Sequence, residues 1–159
     1  MSTNISIPII KELTKFRLTL SVVFSSFISY FLGASEVNYI QLFYLITGGI
    51  LIVSSSNIFN QIIERDLDKL MKRTQNRPLP KNEITPKLAL FLAIASCVIG
   101  LIFMYMINIK VAILAALSIF IYTSIYTPMK LISPLAVFIG AIPGACLLYT
   151  SPSPRDGQI

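Results

Sequence analysis

Asn60-Gln61-Ile62-Ile63-Glu64-Arg65-Asp66-Leu67-Asp68 closes the apolar stretch Tyr39–Ile63, and Lys72-Arg73-Thr74-Gln75-Asn76-Arg77-Pro78-Leu79-Pro80 follows it. Crossing a hydrocarbon core about 30 Å thick takes roughly 20 apolar residues in a helix, so Tyr39–Ile63 is long enough to span. Of the 13 Lys and Arg and 7 Asp and Glu residues of the chain, eleven lie between Glu64 and Lys87. The pattern is a membrane helix that ends in carboxylates and runs into a basic loop.

Working outward, the same apolar texture recurs on both sides. Residues 88–107 contain no charge, and 111–127 and 131–149 follow with only short polar breaks. A shorter run, 18–32, is rich in Ser and Thr. Hydrophobic residues make up 55% of the chain and charged residues 13%. These stretches predict an all-α fold: a polytopic transmembrane helical bundle with four to five helices in this chain. Lys15 and Arg17 before a short apolar run, with Gly33-Ala34-Ser35 behind it, imitate a secretory signal. The further apolar stretches favour a retained first helix instead.

Basic residues in short loops set orientation. Lys11, Lys15 and Arg17 precede the first helix; Arg65, Lys69, Lys72, Arg73, Arg77, Lys81 and Lys87 fill the loop after the second; Lys130 follows the fourth. Apart from Arg155 in the terminal segment, only Lys110 falls on the opposite side. The N-terminus and the 64–87 loop are therefore expected in the cytoplasm. This bias accounts for the net charge of +6, and no basic helix or base-stacking pattern points to a nucleic-acid partner. The chain has no His, which excludes imidazole as a metal ligand, heme ligand or triad base here. Cys97 and Cys146 form no metal or disulfide spacing.

The acidic segment has a helical phase. At about 100° per residue, with Asn60 at zero, Glu64 lies near 40°, Asn57 near 60° and Asp68 near 80°, while Asp66 falls near 240°. Four polar side chains share a face from which Asp66 is excluded. Oxygen ligands without His or Cys suit Mg²⁺, which takes one or two carboxylates together with substrate phosphates. Cationic side chains in the following loop suit the phosphates themselves. A diphosphate carrying a lipophilic tail meets both requirements. The plainer reading is a solvated helix end with a Glu64/Asp68 pair on a wet surface; the apolar run before it speaks against that, because polar groups at membrane depth normally face a cavity or bundle interior. Ser54-Ser55-Ser56-Asn57 in the same helix call for a helix contact or cavity, and Gly48-Gly49 allow close helix approach. Thr85-Pro86 is a helix start, with Thr85 at the N-cap.

Asn60-x₃-Glu64-x₃-Asp68 resembles the first acidic motif, Asn-x₃-Asp-x₃-Asp, of the UbiA superfamily of intramembrane prenyltransferases, with Glu in the middle position. The longer run through Met71-Lys72-Arg73-Thr74, Asn76-Arg77-Pro78-Leu79-Pro80, Ile84-Thr85-Pro86 and Tyr126-Thr127-Pro128-Met129-Lys130, on to Pro143-Gly144-Ala145, is similar to its protoheme IX farnesyltransferase branch. The resemblance covers about residues 10–145, and residues 1–145 are read as the N-terminal half of an intramembrane prenyltransferase domain. Members are about twice as long, with about nine helices of roughly 20 residues each and a second acidic motif in the later half. Leu131 stands where a basic residue is expected.

The resemblance implies an enzyme of the bacterial plasma membrane or the mitochondrial inner membrane, with farnesyl diphosphate and protoheme IX as substrates and heme O as product. It implies Mg²⁺ held by Glu64, Asp68 and Asn60, and diphosphate bound by Lys72, Arg73 and Arg77. Phe59 and Tyr122 are read first as packing residues and second as walls for an allylic cation. Two other readings stay open: prenyl transfer to an aromatic acid such as 4-hydroxybenzoate, and a non-enzymatic transporter or assembly scaffold whose midplane polar groups bind an ion. Cys146-Leu147-Leu148-Tyr149-Thr150-Ser151-Pro152-Ser153-Pro154-Arg155-Asp156 looks like the in-frame translation of a sequencing adapter. Residues 146–159 are accordingly expected to be a non-native, disordered tail, and residues 1–159 alone to lack transferase activity.

Overall fold

In the computed structural model the structure describes residues 6–129, and every regular element among them is helical. In chain order these are α1 (Ile7–Leu13), α2 (Phe16–Gly33), α3 (Tyr39–Ile63), α4 (Arg65–Asp68), α5 (Pro86–Ile107), α6 (Ile109–Phe120), a π-helical turn (Ile121–Tyr126) and α7 (Thr127–Met129). Helices α2, α3 and α5 are each long and apolar enough to cross a membrane, and a shorter apolar helix spans Ile109–Ile125. The all-helical membrane reading therefore holds. The expected span 111–127 is helical but composite, since α6 gives way to the π turn before it ends. The expected span 131–149 and the tail 146–159 lie outside the described residues.

The Ser-rich first run makes a full helix, longer than its apolar core. Ser21, Ser25, Ser26 and Ser29 donate their hydroxyls to the carbonyls of Arg17, Ser21, Val22 and Ser25, four residues back in each case. Such back-bonding consumes the polar groups inside the helix, so they do not interrupt it. Helix starts follow the capping rules. Asn38 accepts from the Ile40 and Gln41 amides, Thr85 from Leu88 with Pro86 next to it, and Asn108 from Lys110.

Helix α3 is central, packed on α5 along one side and on α2 along another. Helix α5 buries only Ala89, Ala93, Gly100 and Met104, while Phe91, Ile94, Val98 and Ile102 are exposed. Small residues inward and large apolar ones outward is the arrangement expected where lipid is the solvent. The α3–α5 crossing runs through Gly48 and Gly100. A Cβ on Gly100 would stand 2.7 Å from Ile52 Cγ1 and 3.2 Å from both the Gly48 carbonyl oxygen and the Ile52 amide nitrogen. Two of those atoms are backbone and cannot step aside. Gly100→Ala is expected to lower stability by about 1–3 kcal/mol, the usual range for overpacking, readable as a fall in the thermal transition in detergent. An unchanged transition would mean that the crossing is looser than these distances.

Polar residues of α3 bind its neighbours. Ser55 donates to the Ala93 carbonyl of α5 at 2.8 Å. Asn57 donates to the Thr14 carbonyl at 3.0 Å, and Gln61 to the carbonyls of Leu13 at 2.8 Å and Glu12 at 3.2 Å. The last carbonyls of a helix have no partner within it. Here the side chains of α3 supply them for α1, and the chain then turns through Lys15 in the left-handed region (φ 49°) into α2.

Candidate functional site

The polar end of α3 and the loop behind it come together as one candidate site. Helix α3 stops at Ile63, and Glu64 (φ −83°, ψ 0°) joins it to α4. The backbone bonds nonetheless keep helical spacing across the joint: Glu64 donates to the Asn60 carbonyl at 2.9 Å and Asp68 to the Glu64 carbonyl at 2.8 Å. The phase computed for an unbroken helix therefore survives the break. Asn60, Glu64 and Asp68 are 1%, 5% and 3% exposed. The Asp66 side chain is 88% exposed and pairs with Arg65 at 3.7 Å.

The basic loop reaches this face through Arg77. Its Nη1 donates to Asp68 Oδ2 at 2.6 Å and stands 3.8 Å from Glu64 Oε2. Pro78, Leu79 and Ile84 are buried, with Leu79 and Ile84 in a cluster with Leu13, Ile58 and Ala89. That apolar anchor fixes the loop on α3 and α5 and so fixes Arg77. The Thr74 hydroxyl donates to the Asp68 carbonyl at 3.2 Å, tying the start of the loop to the acidic turn. Two nearly buried carboxylates lie around one guanidinium, and carboxylates held this close together favour the approach of cations. The donors nearby are two carboxylates and a carboxamide, hard oxygen ligands that fit Mg²⁺ when phosphates supply more. Among the described residues, no group of three or more His, Cys, Asp or Glu side chains forms a metal cluster by itself.

Asn60 faces two ways. Its Nδ2 lies 3.5 Å from Glu64 Oε2, and its Oδ1 lies 2.9 Å from the hydroxyl of Thr127. Thr127 follows the π turn and is fully buried. Asn57, on the same helix face, does not join the carboxylates; it holds the end of α1.

Of the six residues expected at the site, Asn60, Glu64, Asp68 and Arg77 come together. Lys72 and Arg73 are exposed. Arg73 and Arg77 border a cavity of about 990 Å³ beside α1, whose wall also includes Lys11, Lys15, Arg17 and Gln61. Gln61 Oε1 has no hydrogen-bond partner among the described residues, although the side chain is 1% exposed. Phe59 packs against the apolar cluster around Leu79. Sequence reasoning assigned no role to Thr127 or Gln61. A buried contact between residues 60 and 127 leaves no trace in spacing, and Gln61 could be flagged only as an amide beside the acidic motif.

The chain is 53% identical over 135 residues to a protoheme IX farnesyltransferase of Christiangramia forsetii, covering 85% of this chain and 45% of that protein. It is 48% identical over 138 residues to a protoheme IX farnesyltransferase of Flavobacterium psychrophilum, covering 85% of this chain and 46% of that protein. The chain thus spans about half the length of the curated relatives it matches. Its fold superposes with a TM-score of 0.80 on a UbiA homolog from Archaeoglobus fulgidus whose structure was solved bound to DMAPP and Mg²⁺. That match is 18% identical and covers 91% of this chain and 53% of the other. The profile of the UbiA prenyltransferase family matches residues 22–150, and the chain belongs to that family.

Proposed function

We propose that the protein containing this chain is a Mg²⁺-dependent intramembrane prenyltransferase that moves the farnesyl group of farnesyl diphosphate to a vinyl group of protoheme IX, giving heme O. The observation that carries this reading is the convergence of Asn60, Glu64, Asp68 and Arg77 at the polar end of a membrane-length helix. The curated relatives named above support the choice of substrates over an aromatic acid.

The reaction breaks an allylic C–O bond, and negative charge collects on the departing diphosphate. A divalent ion, when bound, supplies electrophilic assistance to that departure. Glu64 and Asp68 would hold it with charged oxygens, and Asn60 with a neutral one. Arg77 is paired with the carboxylates on one side and borders the cavity on the other, so its guanidinium would be placed to donate to a phosphate oxygen there. Arg73 and Lys72 would add charge at the mouth, Arg as a fork and Lys as a point charge. The farnesyl cation then bonds to the terminal vinyl carbon of protoheme; the cation left on the porphyrin-side carbon takes up water and releases a proton.

The direct test is turnover by the full-length protein in detergent or nanodiscs, with Mg²⁺, farnesyl diphosphate and either protoheme IX or 4-hydroxybenzoate. Heme O formation supports the proposal, and product from the aromatic acid alone would replace it. The orientation is proposed from the basic loops and has its own test. A single Cys placed at Lys81 should react with a membrane-impermeant maleimide in inverted vesicles and not in intact cells, since basic loops resist translocation. The opposite pattern would reverse the assigned topology.

A further inference from the structure

The hydroxyl of Thr127 faces two acceptors with one proton. It lies 2.9 Å from Asn60 Oδ1 and 2.9 Å from the backbone carbonyl oxygen of Tyr122. The Tyr122 carbonyl also accepts the Thr127 amide, the i→i−5 bond that closes the π turn. In this arrangement the hydroxyl can satisfy only one of its two partners at a time. The other end of the Asn60 amide is no better placed. Its nitrogen is 3.5 Å from Glu64, at the outer limit of a hydrogen bond.

An Asn amide is close to symmetric in shape, and its surroundings decide which end is oxygen. Turned by half a rotation, Asn60 donates its N–H to the Thr127 oxygen. Thr127 then gives its proton to Tyr122, and every group on that side is satisfied. The Asn60 oxygen then faces Glu64, which repels it unless a cation lies between them. The two orientations therefore match two states of the site. Without a cation the amide nitrogen faces the carboxylate; with one, the amide oxygen does. Thr127 serves both because a hydroxyl both accepts and donates, and its complete burial removes water as a competing partner.

We infer that Thr127 is a positioning residue, whose hydroxyl turns the Asn60 carboxamide so that its oxygen faces the cation beside Glu64. The inference rests on the metal reading of the site proposed above. It goes beyond that reading in assigning a role to a residue that touches neither ion nor substrate. The unusual helix geometry at Ile121–Tyr126 acquires a purpose, since the π turn brings the Tyr122 carbonyl and the Thr127 hydroxyl together against α3.

The test uses Mn²⁺ as the probe, bound to the full-length protein and followed by its EPR signal without turnover. Thr127→Val, which keeps shape and removes the hydroxyl, is expected to weaken Mn²⁺ binding by about 10-fold or more, the usual scale for partners of metal ligands, while Thr127→Ser stays within about threefold of wild type. An Asn60→Asp background separates orientation from packing, because a carboxylate presents oxygen at both ends and needs no turning. There Thr127→Val should cost less than about threefold, so the pair is non-additive. If Thr127→Val does not fold, Thr127→Ala, which removes the hydroxyl without adding bulk, takes its place in both backgrounds. Equal losses in the Asn60 and Asp backgrounds, or wild-type affinity in Thr127→Val, overturn the inference while leaving the metal reading intact. Unchanged Mn²⁺ binding in Glu64→Gln and Asp68→Asn would instead overturn the metal reading itself.

Discussion

Glu64→Gln and Asp68→Asn, introduced separately into the full-length protein, should each lower farnesyl transfer by at least about 100-fold, the scale seen when one preorganised electrostatic group at a transition state is removed. Each change keeps size and hydrogen-bonding capacity and deletes one charge from the pair that would hold the divalent ion. Both side chains are almost wholly buried, so water cannot take over their role. The internal control is Asp66→Asn, two residues from each. Its side chain is 88% exposed and, among the described residues, pairs with the neighbouring Arg65, and exposed pairs of that kind contribute about 0–1 kcal/mol. Initial rates of heme O formation, measured across a Mg²⁺ titration, give the comparison. Mild and equal losses in all three variants would mean that the buried carboxylates are structural and that the chemistry lies elsewhere.

Arg77→Gln should have two separable effects. Without divalent metal it leaves Glu64 and Asp68 buried with their observed guanidinium partner removed. Breaking a buried ion pair costs about 3–5 kcal/mol; because the Arg77 side chain is 19% exposed and water can partly substitute, a loss of roughly 1–3 kcal/mol is expected. Adding Mg²⁺ should shrink the difference from wild type, since a cation bound to the same carboxylates does the work of the guanidinium. With metal present the remaining defect should appear in KM for farnesyl diphosphate, because a donor to phosphate is gone. Arg77→Lys should recover most of the stability and less of the KM, as it keeps charge but not the planar fork. Thermal transitions with and without Mg²⁺ test the first part and steady-state kinetics the second. A stability loss of the same size in both conditions would show that Arg77 is a fixed structural partner rather than one that a cation replaces.

Much of this protein follows from its sequence alone. Helix positions depend on apolar length and on local caps such as Thr85-Pro86, and both are short-range properties of the chain. Which carboxylates share a face follows from a rotation of about 100° per residue, and the prediction separated Asp66 from Glu64 and Asp68 because hydrogen bonding stays helical through residue 64. Two things were not legible. Composition did not decide whether the Ser-rich first run makes a full span, since hydroxyls that look polar in composition are spent on carbonyls within the helix. The partners of the acidic face were also beyond reach. That Arg77 rather than Lys72 or Arg73 meets Asp68 is decided by Leu79 and Ile84 pinning the loop. That Asn57 and Gln61 cap α1, while Asn60, between them, turns to Thr127, is decided by which helices pack on α3. Periodicity specifies the direction in which a side chain leaves its own helix; only the packed bundle determines which group is waiting there.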